Sequence, residues 1–103
     1  MTDAQLVNAN LKKAEMERAV LRGADLTRAS LSDAYLRLAD LRGASIDRVD
    51  FHRAILRNTD FRGVDLTSTV GLTQDQLADA CGDQATKIPD GLDRAETWPS
   101  GQG

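Results

Sequence analysis

Three groups of residues carry side chains able to do chemistry. His52, the single histidine, stands between Asp50 and Arg53, and a carboxylate beside an imidazole can orient it as a general base. Asp40 and Asp60 lie twenty residues apart, and Arg22, Arg42 and Arg62 share that interval. Carboxylates brought side by side can divide acid and base roles, and stacked guanidinium groups can grip phosphate or a carboxylate-rich partner. Cys81 is the only thiol. No group completes a site. A nucleophilic triad needs nucleophile, base and orienter within reach, and no Ser or Cys is paired with His52. Arginines interleave Asp40 and Asp60, so both stay ionised and neither serves as a general acid. Cys81 reads as a small buried hydrophobe. No clustered ligands point to a metal, and no motif points to a cofactor. The chain reads as a non-enzyme.

What would position these residues is a repeat. LRGADL at 21–26 returns as LRGASI at 41–46 and as FRGVDL at 61–66. Written in fives from Ala4, residues 4–68 form 13 consecutive blocks without an insertion. The central residue of every block is apolar: Leu6, Leu11, Met16, Leu21, Leu26, Leu31, Leu36, Leu41, Ile46, Phe51, Leu56, Phe61 and Leu66. The first is Ala in 10 of 13, with Val49, Thr59 and Val64 as exceptions. On an α-helix, five steps of ~100° place each Leu ~140° from the last, so no stripe forms. In a strand, an odd spacing sends alternate Leu residues to opposite faces. The chain must turn once per block and bury its apolar columns by stacking, as a solenoid does.

The blocks resemble the pentapeptide-repeat family: a small residue, Asp or Asn, Leu or Phe, then two variable positions. The second position departs most, with Asp or Asn in 6 of 13: Asn10, Asp25, Asp40, Asp50, Asp60 and Asp65. The resemblance implies an all-β solenoid, a right-handed quadrilateral β-helix with four pentapeptides per coil. Residues 1–70 then make about three coils, with 71–83 as a capping helix and 84–103 as an irregular tail. With late bulk at Val49, Phe51, Phe61 and Val64, the shaft is expected to widen there.

The ends of such a stack expose unpaired backbone and core. Thr73 with Gln76 reads as a capping box and Gly82 as a helix stop, predicting a helix at about Thr73–Cys81. Its apolar stripe would be Leu77, Ala78, Ala80 and Cys81. The tail, anchored by Ile88, Leu92 and Trp98, is expected to wander over the surface, with its last residues disordered. The N-terminal end either pairs with another subunit as a homodimer, is blunted by Thr2 and Asp3, or was once preceded by something else.

Two outward faces are candidate interaction surfaces. Arg22, Arg42 and Arg62 form one column beside Val20, Asp40 and Asp60, with Gly23, Gly43 and Gly63 permitting φ > 0 at the corner; the plainer reading is a neutralised, solvated wall. Tyr35 and Ile55, with Leu38 at the neighbouring corner, put apolar side chains where the pattern asks for polar ones. Either the tail covers them or they meet a partner.

Charge separates the functions. Asp3–Ser68 carry 10 acidic and 11 basic residues, while Thr69–Gly103 carry 6 and 2. The family resemblance implies a DNA-mimicking inhibitor of DNA gyrase as one alternative, but a mimic needs a continuous acidic surface comparable with one charge per ~1.7 Å of duplex. Direct nucleic-acid binding lacks a basic excess or an aromatic platform. The expectation is a protein–protein interaction module. The single cysteine, the lack of a secretory signal and the absence of an apolar run of ~20 residues point to the cytoplasm and to no membrane contact.

Overall fold

The computed structural model describes residues 3–93 and Trp98. The chain turns once every five residues and closes a circuit every twenty. Parallel bridges join Gln5 to Asp25, Asp25 to Ser45, Tyr35 to Ile55 and Asp40 to Asp60, each pair twenty residues apart. One circuit therefore has four sides, each contributed by one block. The all-β expectation needs one correction: the pairing consists of isolated bridges, and no extended strand forms among the described residues. The reason is geometric. Each side holds only about three extended residues between corners, so a ladder ends almost as soon as it begins.

Each corner is a β-turn closed by a first-to-fourth backbone bond, as from the N–H of Ala9 to the carbonyl of Leu6 (3.0 Å). The third residue of the turn takes a positive φ at every fifth position from Asp3 to Gly63. Glycine adopts that conformation without a Cβ penalty at Gly23, Gly43 and Gly63 (φ 69°, 72° and 73°). Ten other corners hold non-glycine residues there, among them Arg28 and Leu38 (both φ 62°). The second position of the block supports the same turn. Asn10, Asp25, Asp40, Asp50, Asp60 and Asp65 each accept, through Oδ1, the backbone N–H two residues ahead. An Asx side chain holding its own turn explains why Asp and Asn recur there.

The central residues from Leu21 to Leu66 are all buried, as are the alanines from Ala24 to Ala54 and Val49 and Val64. Leu6, Leu11 and Met16 are only partly buried, because no coil of the described residues lies below theirs. Phe51 and Phe61 meet edge to face with centroids 5.8 Å apart, a favourable aromatic geometry. Thr59 replaces Ala in the small column at no loss of burial, because its hydroxyl donates to the carbonyl of Leu36 (2.7 Å).

At the C-terminal end, helix α1 spans Gln74–Asp79. Thr73 is its N-cap and forms the expected capping box with Gln76. The helix is shorter than the predicted Thr73–Cys81, ending at Ala80 in extended conformation. Cys81 must be extended, since it bridges Asp60 and continues the stack. Only Leu77 and Ala80 of the predicted stripe are buried; Ala78 and Cys81 are exposed. The expectation of a buried Cys81 is thus overturned, because its bridge places it in the outward column above Asp60. Gly82 is not the helix stop either. It lies under the Trp98 ring, where an added Cβ would come within 2.6 Å of ring atoms.

The segment after the helix does not wander. Lys87 bridges Asp65, and Thr86 is fully buried with its hydroxyl donating to the carbonyl of Phe61 (3.0 Å). Trp98 donates Nε1–H to the carbonyl of Ala80 (2.9 Å) and is buried, while Ile88 and Leu92 pack partly buried against the core. The expected disorder of the last residues lies outside the described residues.

Candidate functional site

The arginine column is assembled as the spacing requires. Arg42 donates Nε–H and an Nη2 proton to the two oxygens of Asp40 (2.9 and 2.8 Å), and Arg62 binds Asp60 in the same bidentate way (2.9 and 2.8 Å). Arg42 also lies 3.5 Å from Asp60, and Arg22 lies 3.8 Å from Asp40. The Arg42 guanidinium holds the Asp40 carboxyl below its ordinary value, and Asp40 raises Arg42 in turn. Asp40 therefore stays ionised and is no general acid. Two of the three guanidinium forks are spent on their own wall. Arg22 lacks such a partner because Val20 stands where its Asp would be. Further pairs tie successive coils: Arg37 to Glu17 (3.2 Å) and Arg53 to Asp33 (3.0 Å).

His52 and Asp50 do come together, with Nδ1 2.6 Å from Oδ1. Burial pushes the Asp50 carboxyl up, but hydrogen bonds from the His52 backbone and ring outweigh it and leave it lowered. Among the described residues no nucleophile completes the pair. Among the described residues no group of three or more His, Cys, Asp or Glu side chains could hold a metal. Three depressions on the surface, of about 370, 510 and 440 Å³, are broad and open. None encloses a small molecule as ligand pockets do.

The second candidate face is different. Glu15, Tyr35 and Ile55 bridge one above the other, and Tyr35, Ile55 and Leu38 are 51%, 46% and 37% exposed. The tail anchors Ile88, Leu92 and Trp98 join the core instead. Beside Tyr35 lies the 440 Å³ depression, edged by Glu15 and Glu17.

One feature gave no sequence signal. On the side carrying Gln5, Asp25, Ser45 and Asp65, the ladder is intact up to Ser45, whose N–H donates to Ala24 (2.8 Å). Between Ser45 and Asp65 it opens: the N–H groups of Gly43, Ile46 and Asp65 have no backbone partner among the described residues. The 370 Å³ depression lies there. Ser68, at the next corner, breaks the positive-φ series, and its hydroxyl takes the Arg48 N–H (3.2 Å) while donating to Asp47 (2.7 Å). The corner at Ser68 thus differs in backbone shape from the thirteen before it.

Comparison with known proteins gives the class. The family of pentapeptide repeats matches residues 4–43 and 34–70. The chain belongs to the pentapeptide-repeat family, whose members imply a right-handed quadrilateral β-helix. It is similar to the crystal structure of alr5209, a pentapeptide repeat protein from Nostoc Pcc 7120, with 27% identity, covering 86% of this chain and 77% of that one at a TM-score of 0.53. It also resembles Rfr23, a pentapeptide repeat protein from the cyanobacterium Cyanothece 51142, at 27% identity, covering 85% of this chain and 63% of that one, with a TM-score of 0.39. No curated protein matches.

Proposed function

We propose that this chain is a non-enzymatic, cytoplasmic interaction module, its 13 blocks winding just over three coils, and that it contacts a partner protein through the Tyr35–Ile55 face. The observation that carries this reading is the exposure of Tyr35, Ile55 and Leu38 together on an otherwise polar wall. Rimmed apolar patches of this kind mark contact surfaces. The arginine column supports it by elimination, since Arg42 and Arg62 are already saturated by Asp40 and Asp60. The gyrase-inhibitor alternative is disfavoured by the balance of 10 acidic against 11 basic residues over Asp3–Ser68, where a duplex mimic needs continuous negative charge. No helix among the described residues is long and apolar enough to cross a membrane.

The test is affinity capture with the parent and with a Tyr35→Asp/Ile55→Asp variant, both first shown to fold by circular dichroism. A protein retained by the parent and lost by the variant supports the reading. A partner retained equally by both moves the contact to another face.

A further inference from the structure

The two ends of the solenoid are finished differently. At the C-terminal end, the N–H groups of Asn58, Phe61 and Leu66 donate to the carbonyls of Asp79, Cys81 and Lys87 (2.8, 2.8 and 2.7 Å). Gly63 donates to the Asp83 carboxylate (3.1 Å), and the Gln76 amide donates to the carbonyls of Phe51 and Ala54 (2.8 and 3.0 Å). Side chains and backbone together close this edge.

At the N-terminal end nothing equivalent is present among the described residues. In the later coils the bridging residues, Asp65 excepted, use their N–H and carbonyl to reach the coil below, as Asp25 does with Ala4 and Leu6 (both 2.8 Å). In the first coil the same groups, on Gln5, Asn10, Glu15 and Val20, have no partner among the described residues. Beneath them Leu6, Leu11 and Met16 are only partly buried. The end thus presents donors and acceptors on all four sides around an apolar centre, which is the template an edge strand offers to another chain.

We propose that a second copy of this chain docks on this end, first coil to first coil, as a two-fold symmetric dimer. Stacking onto the other end of a neighbour is closed off by α1 and the Cys81–Lys87 segment, so open-ended fibres cannot grow and only the isologous pair remains. A two-fold axis across the junction reverses chain direction, so the facing sides pair antiparallel. Charge permits the approach: over residues 3–20, Asp3, Glu15 and Glu17 balance Lys12, Lys13 and Arg18. The two shorter dimensions of the molecule, 24 and 22 Å, limit an end to at most roughly 500 Å² per copy. The pair then buries no more than about 1,000 Å² in all, at the lower bound for a specific interface, so the dimer is a weak one. This surface adjoins the Tyr35 face at Glu15, but it rests on the unpaired backbone of the first coil and stands without that reading.

Sedimentation velocity of the full chain, from roughly 10 μM to 1 mM to span a weak equilibrium of this size, tests the proposal. The parent passes from monomer to dimer with concentration. A Lys12→Glu/Lys13→Glu variant, with five acidic residues against one basic over residues 3–20, dissociates at low salt. So does Glu15→Lys/Glu17→Lys, with the balance inverted. An equimolar mixture of the two restores a dimer. In the parent, the amides of Gln5, Asn10, Glu15 and Val20 exchange more slowly in concentrated than in dilute solution. A parent monomeric at every concentration overturns the proposal, as does a dimer indifferent to both charge reversals, which would place the contact on another face.

Discussion

The corner conformation can be tested by two substitutions of opposite sign at equivalent positions. Gly63 sits at φ 73° with nothing within 4 Å of where a Cβ would stand, so Gly63→Ala probes the backbone alone. An L-residue in the left-handed region costs roughly 1–2 kcal/mol, while alanine's smaller unfolded-state entropy returns about 0.4–1 kcal/mol. The net is a loss of about 1 kcal/mol. Arg28 holds the same corner position at φ 62° with an exposed side chain, so Arg28→Gly should gain about the same amount. For a domain of this size, ~1 kcal/mol moves Tm by roughly 4–8 °C. Urea and thermal unfolding of both variants, followed by circular dichroism, should therefore bracket the parent, with the Gly63→Ala variant below it and the Arg28→Gly variant above. Repeat arrays can lose two-state cooperativity, so coincidence of two probes should be confirmed first. If both substitutions destabilise, or if Gly63→Ala is neutral, the regular positive φ is not a stored cost and the reasoning about the corners fails.

Leu41 is fully buried in the middle of the shaft; truncation there costs ~2–5 kcal/mol, and Leu41→Arg adds an unpaired buried charge, so that variant should lack a cooperative melt. Arg42→Ala breaks a partly exposed pair with Asp40 and should change stability by less than ~1 kcal/mol; a larger loss would make the column structural. The Thr27 hydroxyl lowers Asp25, the Arg42 guanidinium lowers Asp40 and the Thr67 hydroxyl lowers Asp65. Depressed folded values mean that their stabilisation is full above the ordinary value of 3.8 and is lost as pH falls through the folded values beneath it. Melting temperature should thus fall below about pH 4, and less steeply in an Asp25→Asn/Asp65→Asn variant. Amide exchange should be faster at Ile46 and Asp65, in the open part of the ladder, than at Leu26 and Ser45 one coil below, which are bonded at 2.8 Å; equal protection would mean that the gap is closed in solution.

The shaft was legible because five-residue periodicity admits so few physical solutions. Once Leu and Ala must face inward at every turn, burial of Leu21 through Leu66 and a twenty-residue bridge interval follow. The capping box was legible for a local reason: Thr73 and Gln76 satisfy each other within one turn. What was missed depends on non-local pairing. Cys81 looked like a core residue on a helix, and only its bridge to Asp60 turns it outward. Gly82 looked like a stop signal, whereas its role is to leave room for Trp98, sixteen residues on. The tail carried Pro and Gly punctuation that reads as loop, yet Thr86 and Lys87 reproduce the buried-then-bridging order of a repeat block without its sequence.

That last substitution of function for motif explains the asymmetry of the molecule. A coil edge can be closed by any polypeptide that offers carbonyls and amides at the right spacing, so the C-terminal cap is free to use a helix end, a carboxylate and a glutamine amide in place of another pentapeptide. Backbone satisfaction is what the edge demands, and buried or core-flanking peptide groups are costly to leave unmade. The same demand acts on the first coil, where the pattern is regular and its bridging residues have no partner among those described. Regularity there is itself informative: a coil whose corners match those above it is a flat, square template, better suited to an identical template turned over than to an irregular plug. The strength of that pairing is limited by the area of one end, so self-association should respond to concentration and salt while the fold of each copy, held by its own buried columns, does not.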